Sequence, residues 1–507
     1  MSVLLLAVVA IAGGLAALLS AARPWTSLAV AGATAVLAVV VAASIGAQDA
    51  VPIAGSIVAG SDALRTVALA WAAGILLIGL ADALVGGGGT AIGPSLIGLG
   101  TGVAALAVAD AGLGFALITA GGLAAAVGPL ARMRGSSAEV AHLGLRITRP
   151  IVGAGVLALL VVAWGASPVG PFAAIDPLGG LDPGLEVGIG LGLVAVAVAV
   201  GIRMGAIPAH VWAARFAESG PVSALPATLG WGAAAFAFVA LGWVNVTIAP
   251  ASSPLIAERA VIGLVAAASV LLGGVAAILH DDIEHVLGYS IVQDAGIALL
   301  AFAVIRPEAG AAGRDWLLGM VAVKTGLAAW VLVTRATFGV RQLSALRGWA
   351  RSSPLLGVAF GLVLLGAVGL PGMAAFEARG ALTELALPAP FDVFVLLAAF
   401  APVVYLGRIL VAGLDRMSEP VRSARSTRPS LRGLRPGGWT SVPVAATARA
   451  VPAAVRENRF AIAAATAVLT AVVGLAVATA GLGAGGSDQP LGDEPGGPGS
   501  SLGIDGP

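Results

Sequence analysis

The sequence predicts an all-α polytopic membrane protein with about fourteen transmembrane helices. Hydrophobic residues make up 59% of the chain and charged residues only 10%, whereas a soluble domain carries about 25% charged residues on its wetted surface. Apolar runs of about 20 residues, the length that crosses a bilayer, recur along the whole chain. The 72 glycines are typical of helices that pack closely in lipid, where small side chains let backbones approach.

The composition also limits the chemistry. The chain has no cysteine, which excludes disulfides, thiolate-bound metals and cysteine-bound iron–sulfur clusters. No dinucleotide-binding motif or nucleophile elbow is present, and Gly86–Gly89 does not follow a predicted strand, so it is not a phosphate loop. The net charge of +1 says nothing in favour of a nucleic-acid partner. We therefore expect no cofactor, no metal and no nucleic acid, with the lipid bilayer as the surrounding medium.

The first three predicted helices form an N-terminal unit, residues 1–90. Apolar runs place them at 2–22, 26–47 and 64–82. The first run lacks a basic n-region, so we interpret it as a permanent helix and not as a cleaved signal. Gly86–Gly89 then predicts a flexible joint before the fourth helix.

Ten helices follow in two groups of five, and one more ends the membrane part. Residues 91–245 contain the first group, with runs at 91–109, 112–131, 147–165, 185–209 and 221–244. Residues 246–413 contain the second, with runs at 256–279, 287–305, 315–334, 354–387 and 391–413. A basic loop at 414–459 leads to the last helix at 460–481. Residues 482–507 are rich in Gly, Pro, Ser and Asp and predict a disordered tail.

The arginines support this number of helices. Their dense clusters, at 132–149, 335–351 and 416–459, all fall in loops that follow odd-numbered helices. Adding or removing one helix midway would put these clusters on opposite faces. Because basic loops stay on the cytoplasmic side, the sequence predicts a multi-pass protein of the bacterial inner membrane with both termini external.

Lys324 is the most informative residue, because it is the only lysine in the chain. It lies halfway along the run 315–334, where a lysine costs about 2.5–3.5 kcal/mol on insertion scales and normally marks an ion or proton pathway. Lysine can release a proton where arginine cannot. The alternative is a structural pair with a carboxylate on a neighbouring helix. Asp294, seven residues into the tenth helix, is a candidate to face the same interior.

Two predicted helices are interrupted by proline beside a charged residue. In the seventh, Pro208 lies between Arg203 and His210, and in the twelfth Pro371 precedes Arg379. Proline breaks helical hydrogen bonding, and in a membrane such backbone is tolerated only where it is buried in protein or lines water. Paired breaks predict two inverted repeats, helices 4–8 and 9–13, with an ion path at mid-membrane. The candidate path residues are Lys324, Arg203, Arg379, Asp294, Glu377, His210 and Glu218.

Other charged positions are less informative. Asp82 and Asp110 lie near helix ends, so we interpret them as solvated. One short loop carries a charged cluster that suggests a metal site, although its interfacial position favours a solvated helix cap; its members are His280, Asp281, Asp282, Glu284 and His285.

Several segments match a known pattern in order and spacing. They are Pro208-Ala-His-Val-Trp212 with Pro221-Val-Ser-Ala-Leu225, Asp282-Ile-Glu-His-Val-Leu-Gly-Tyr-Ser290, Val323-Lys-Thr-Gly-Leu-Ala-Ala-Trp330, and Leu343–Gly348 followed by Gly369–Phe376. Together they resemble the antiporter-like membrane subunits of respiratory complex I. That family includes related hydrogenase subunits and the large subunits of multisubunit Na⁺/H⁺ antiporters. The resemblance covers roughly residues 90–413.

The resemblance implies fourteen helices, two inverted five-helix repeats and a proton path along a mid-membrane row of charges. It implies a membrane-arm subunit of a redox-driven proton pump, NADH-quinone oxidoreductase-like or hydrogenase-linked, that is itself non-catalytic and binds no redox cofactor. Other membrane subunits would be its partners, and protons or Na⁺ the transported ion. A subunit of a multisubunit cation/H⁺ antiporter and a non-conducting scaffold remain as alternatives.

The chain departs from the family at its titratable positions. The seventh-helix lysine of the family falls on Arg203, and the twelfth-helix Lys or Glu falls on Arg379. The fifth-helix glutamate falls near Ile118 or Thr119, and the eighth-helix Lys or His on Ala227 or Trp231. Because arginine stays protonated, these changes leave two hypotheses. One is a degenerate subunit with a mainly coupling or structural role, and the other is a path rewired through Lys324, Asp294, Glu377 and His210.

The two arginines also need partners, because an unpaired guanidinium inside a membrane is costly. For Arg379 the candidates are Glu377, Glu384 or carbonyls freed by the break. For Arg203 the nearest carboxylate on its own helix is Glu186, nearly five turns away, so the sequence predicts a partner from another helix.

Overall fold

The computed structural model describes residues 2–46, 50–53, 56–87, 89–130, 137–167, 183–251, 254–426 and 444–482. These residues form a bundle of α-helices with one small β-hairpin, which confirms the predicted class of an all-α polytopic membrane protein. The predicted disordered tail, from residue 483 onward, and residues 427–443 of the basic loop lie outside the described residues.

The N-terminal unit consists of α1 (Ser2–Leu19), α2 (Pro24–Ala43) and α3 (Asp62–Val85). Between α2 and α3, β1 (Ala50–Ile53) pairs antiparallel with β2 (Ser56–Ala59). The sequence did not predict this hairpin, because strands of four residues are too short to show a clear alternating pattern. The Ser61 hydroxyl accepts a hydrogen bond from the Leu64 backbone N–H at 3.0 Å and so caps the start of α3.

The first predicted repeat region contains a helix in two parts and a stretch of wide helical turns. Its α-helices are α4 (Ile92–Ala107), α5 (Ala111–Leu130), α6 (Ser137–Gly165), α7 (Pro183–Met204), α8 (Val211–Ser219) and α9 (Gly232–Trp243). A 3₁₀ turn (Val222–Ala224) and a π-helical segment (Pro226–Trp231) join α8 to α9. A second π-helical segment (Val244–Ile248) follows α9, before a 3₁₀ turn at Ala249–Ala251.

The second predicted repeat region and the C-terminal part repeat this arrangement of long and divided helices. They contain α10 (Ile256–Leu279), α11 (Ile283–Leu300), α12 (Pro307–Phe338), α13 (Trp349–Ser352), α14 (Pro354–Val368), α15 (Ala374–Ala386), α16 (Phe391–Ala399), α17 (Ala401–Leu414), α18 (Glu419–Ser426) and α19 (Val444–Ala480).

Eleven helices among the described residues are long and apolar enough to cross a membrane. The shorter α4 and α14 are also apolar, and α11 lies where the tenth span was predicted. The protein is therefore a multi-pass membrane protein, and the count of fourteen spans remains a prediction.

Both predicted helix breaks are present, and a glycine stands at each. Gly205 follows the end of α7 with φ +74°, and Gly369 follows the end of α14 with φ +72°. Residues other than glycine rarely adopt such positive φ values. A Cβ on Gly205 would also lie 2.6 Å from the Cβ of Ala213. Glycine therefore lets each helix stop inside the bundle and restart in a new direction.

The core of the bundle is α12. In its apolar window 94% of the residues are buried, against 33% for α1 and α2 at the periphery. It packs against α3, α11, α14, α15 and α19. The only lysine of the chain therefore lies in the most enclosed of these helices.

Candidate ion-translocation site

Lys324 forms an ion pair with a carboxylate of the neighbouring helix. Its Nζ lies 2.9 Å from Oδ2 of Asp294, and the two side chains are only 5% and 8% exposed. The expectation that Asp294 faces the same interior is confirmed. Beside Lys324 lies a cavity of about 10 Å³ for the centre of a water-sized sphere, which is space for about one water molecule.

Hydrogen bonds fix the rotation of the helices that carry this pair. The indole N–H of Trp231 donates to the Thr325 hydroxyl at 3.1 Å, and its ring stacks on Trp71 of α3 at 5.7 Å. Trp316 donates to the backbone carbonyl of Asp294 at 3.1 Å. The pair is therefore held where α3, the π-helical segment before α9, α11 and α12 meet.

Arg379 is satisfied by backbone and aromatic rings. Its guanidinium is buried and donates to the carbonyl of Val368 and, at 3.4 Å, to that of Ala367. These are the last carbonyls of α14, which the break frees, and a cation at a helix C-terminus is favourable. The ring of Phe400 lies 4.0 Å from the guanidinium carbon. Among the candidate partners, the freed carbonyls are confirmed.

The prediction that Glu377 or Glu384 pairs with Arg379 is wrong. Glu377 is exposed and accepts a hydrogen bond from the Gly372 backbone N–H at 2.8 Å, and Glu384 is also exposed. The helix leaves the break with both side chains turned away from the guanidinium. Arg379 instead lies within electrostatic reach of Asp294 and Tyr405.

Arg203 is fully buried and has one hydrogen-bond partner in the described part of the chain. Its Nη1 donates to the carbonyl of Thr228 at 2.9 Å, which confirms a partner from another helix. Its Nε and Nη2 have no hydrogen-bond partner among the described residues. Nη2 packs closely against Gly122 of α5, since a Cβ atom added to that glycine would lie only 2.9 Å from Nη2. Ile118, where the family glutamate is missing, lies one helical turn before Gly122.

His210 and Glu218 lie apart from the Lys324–Asp294 pair. Glu218 accepts from Arg215 at 2.8 Å and lies 3.6 Å from Nε2 of His285. The ring of His210 faces Tyr289, with 6.5 Å between centroids. Within the described residues, no hydrogen bond or ion pair joins either side chain to Lys324. The structure therefore brings together Lys324 and Asp294, with Arg379 nearby, and separates the other candidates from them.

Asp82 is a buried carboxylate that the sequence interpretation missed. It is only 5% exposed and accepts a hydrogen bond from the Gly89 backbone N–H at 3.0 Å. With Ser223 and Trp231 it lines a second cavity of about 10 Å³. The solvated interpretation was wrong, because a position near a helix end does not show whether the next turn folds back over it.

The charged loop before α11 is a helix cap, but only partly a solvated one. Asp281 is exposed, and the Asp282 carboxylate accepts from the Glu284 backbone N–H at 2.8 Å. Glu284 itself is fully buried and pairs with Arg335 and, at 3.7 Å, with Arg341. Among the described residues, no group of three His, Cys, Asp or Glu side chains is arranged to hold a metal ion.

Broken membrane helices and a buried ionisable pair are features typical of ion-translocating membrane bundles. Residues 184–404 match the model of the family described as NADH:quinone oxidoreductase/Mrp antiporter, transmembrane region. The matched region, somewhat less than half of the chain, is therefore similar to this family of antiporter-like membrane subunits.

Known relatives agree with this assignment. NADH-quinone oxidoreductase subunit N of Desulfovibrio desulfuricans is 29% identical over 221 residues, which is 41% of this chain and 43% of the relative. The sequence match therefore spans less than half the length of that relative.

Two solved structures share the fold over nearly the whole chain. A chain of respiratory complex I from Thermus thermophilus superposes with a TM-score of 0.64 at 20% identity, covering 94% of this chain and 97% of that one. A chain of the Mrp complex from a Dietzia species gives 0.64 at 19% identity, covering 94% and 96%. At these identities the likeness shows the fold alone.

Proposed function

We propose that this chain is an antiporter-like membrane-arm subunit of a complex-I-like, redox-driven proton pump, and that the Lys324–Asp294 pair is its charge-transfer centre. The family match and the name of the Desulfovibrio relative support the parent complex. The bacterial inner membrane, other membrane subunits as partners and an external position of both termini belong to the same proposal, as do the two inverted repeats at 91–245 and 246–413.

The observation that carries the proposal is the ion pair itself. Taking two charges out of water is expensive, and a buried pair is often replaced by apolar residues without loss of stability. Stability alone therefore gives little reason to keep the only lysine of the chain opposite a buried aspartate. Ionisable residues inside membranes mark ion and proton pathways.

The pair can switch between two charge states. When a proton reaches Asp294, the carboxylate becomes neutral and the ammonium of Lys324 loses its partner. A buried ammonium without a counter-ion is unfavourable, so Lys324 then gives up its proton more readily. Water in the adjacent cavity is a means of carrying that proton. Arg379 and Arg203 remain protonated throughout, so they add fixed positive charge and do not carry protons.

Two alternatives have specific support. A subunit of a multisubunit cation/H⁺ antiporter is supported by the TM-score of 0.64 to the Mrp complex chain, equal to that for complex I. A non-conducting scaffold is supported by the arginines at positions where the family has titratable residues. Purification of the native complex distinguishes the redox-driven pump from the antiporter. Iron–sulfur and quinone-site subunits in the complex would support the pump, and small antiporter subunits would contradict it.

The test of the charge-transfer centre is Lys324→Arg, with Lys324→Ala beside it. Arginine keeps a positive charge opposite Asp294 but does not release a proton. We expect both variants to assemble and to lose proton translocation by roughly a hundredfold, the size of a lost proton-transfer group. The measurement is respiration-driven acidification of inverted membrane vesicles, with assembly followed on native gels.

The control is Arg351→Ala, which removes an exposed arginine and is expected to leave both readouts unchanged. Wild-type acidification in an assembled Lys324→Arg complex would show that the pair is structural and would favour the scaffold.

A further inference from the structure

Three of the four histidines of the chain meet at one place, although His210 lies seventy residues before His280 in the sequence. The ring centroids of His280 and His285 are 4.9 Å apart. Tyr289 lies 4.8 Å from His280 and 6.5 Å from His210. We call these four residues the histidine cluster. It lies where the start of α8 meets the turn between α10 and α11.

All four residues of the cluster are partly exposed, and His285 lies at its acidic end. The side chain of His285 is 23% exposed and lies 3.6 Å from Glu218 and 3.7 Å from Asp282. At the other end, Nδ1 of His210 is buried and has no hydrogen-bond partner among the described residues. Imidazole is a side chain that proteins use as a proton shuttle. The tyrosine hydroxyl both donates and accepts hydrogen bonds.

We propose that the histidine cluster is the proton-uptake site of this subunit, which takes protons from water on the face of the basic loops and passes them toward Asp294. This inference rests on the proposed role of the Lys324–Asp294 pair. The family resemblance includes His210 and Tyr289 but not His285, because the matching family stretch has Lys-Arg where this chain has Glu284-His285. At that position a permanently charged arginine is replaced by a titratable imidazole.

Helix α11 connects the cluster to the pair. His285, Tyr289 and Asp294 all lie on it. Nine residues separate His285 from Asp294, about 13 Å along the axis and half a turn around it, so a proton has to cross from one face of α11 to the other. Ser290 is buried one turn before Asp294, and Gln293 has a buried carbonyl oxygen without a hydrogen-bond partner among the described residues. Both are polar groups on α11 close to Asp294.

Most of the groups around the cluster lower the pKa of His280. Burial, the neighbouring His285 and Arg408 all lower the pKa of His280, and Asp282 alone raises it. Two other cations are engaged with carboxylates, Arg335 with Glu284 and Arg341 with Asp282. These surroundings therefore favour the neutral form of the His280 imidazole. The charged groups around the cluster are Glu218, Asp281, Asp282 and Glu284, with Arg215, Arg335, Arg341 and Arg408.

The test compares histidine variants in the assembled complex, again by acidification of inverted membrane vesicles. We expect His280→Ala and His285→Gln each to slow proton uptake roughly tenfold or more. Imidazole added to the medium is expected to restore a large part of the rate to His280→Ala, because a free imidazole can replace the missing carrier. His142→Ala is the matched control, since the fourth histidine is exposed on α6.

The outcomes separate this inference from the proposed function. A wild-type rate in His280→Ala and in His285→Gln, with Lys324→Arg inactive, would overturn the uptake site alone. A slow His280→Ala that imidazole leaves slow would show a structural role and would also overturn it. If Lys324→Arg pumps normally, the proposed function fails. If His280→Ala does not assemble, His285→Gln decides, because its partly exposed side chain contributes less to packing.

Discussion

At the scale of single residues, two buried arginines are accommodated in different ways. Arg379 is held by two carbonyls at the end of a broken helix and by the face of Phe400. Arg203 has one carbonyl, that of Thr228, for a guanidinium with five N–H donors. The first is therefore part of how α14 and α15 meet, whereas the second is a buried cation with most of its desolvation left uncompensated.

This difference predicts the order of two stability changes. Arg379→Ala leaves the carbonyls of Val368 and Ala367 unpaired and is expected to lower the free energy of unfolding by about 1–3 kcal/mol. Arg203→Ala also removes a costly buried charge, so its loss is expected to be smaller. Thermal unfolding of the full chain in detergent measures both, with exposed Arg351→Ala as reference. A larger loss for Arg203→Ala would contradict this assignment.

At the scale of elements, local signals predicted the helix breaks, whereas hydropathy underestimated some helix lengths. The glycine and proline beside each break act on their own backbone, so their effect is visible in sequence. The predicted span at 315–334 belongs to a helix that runs from Pro307 to Phe338, and that at 147–165 to one that begins at Ser137. Hydropathy marks the part of a helix inside lipid, and a helix continues beyond it.

The break after α14 can be tested with two glycines of the same region. Gly369 has φ 72° and ψ 162°, a conformation essentially restricted to glycine, so Gly369→Ala is expected to cost about 1–3 kcal/mol. Gly361 lies inside α14, and a Cβ there meets nothing within 4 Å. Gly361→Ala is therefore expected to stabilise the helix by about 0.5–1 kcal/mol. Thermal unfolding in detergent compares the stability of the two variants. Equal changes in stability would show that the break at Gly369 accepts a side chain without strain.

At the scale of the whole molecule, orientation in the membrane follows from charge, and the bundle is assembled around α12. The arginine clusters predict which loops are cytoplasmic, and the bundle adds a direct way to check it. With 32 residues, α12 is about 48 Å long, longer than the roughly 30 Å hydrocarbon core. Its two ends therefore reach opposite faces.

Single cysteines in the first turn of α12 and in the loop that follows it test this orientation, since the chain has no cysteine of its own. Ser344 and Glu308 are both exposed. We expect a membrane-impermeant maleimide to label Ser344→Cys only in inverted vesicles and Glu308→Cys only in spheroplasts. Labelling of both from one side would disprove the transmembrane path of α12, and the reverse pattern would disprove the predicted external termini.

The amino-acid sequence by itself determined the membrane class, the positions of the helix breaks, the place of the only lysine within an apolar helix and the charge bias of the loops. These properties depend on hydrophobicity summed along the chain and on local backbone preferences, and neither requires knowledge of which helices touch. They account for most of the architecture and for the choice of Lys324, Asp294 and Arg379 as candidate residues, but not for their contacts.

Only the tertiary structure decided which groups meet. It paired Lys324 with Asp294, gave Arg379 the carbonyls of α14, buried Asp82 and brought together histidines that lie more than seventy residues apart in the printed sequence, from His210 to His285. The physical reason is that lipid and protein interior are about equally apolar. A helix that is apolar all round carries no pattern to show which face it turns inward. Its rotation, and therefore its polar contacts, depend on packing against the other helices.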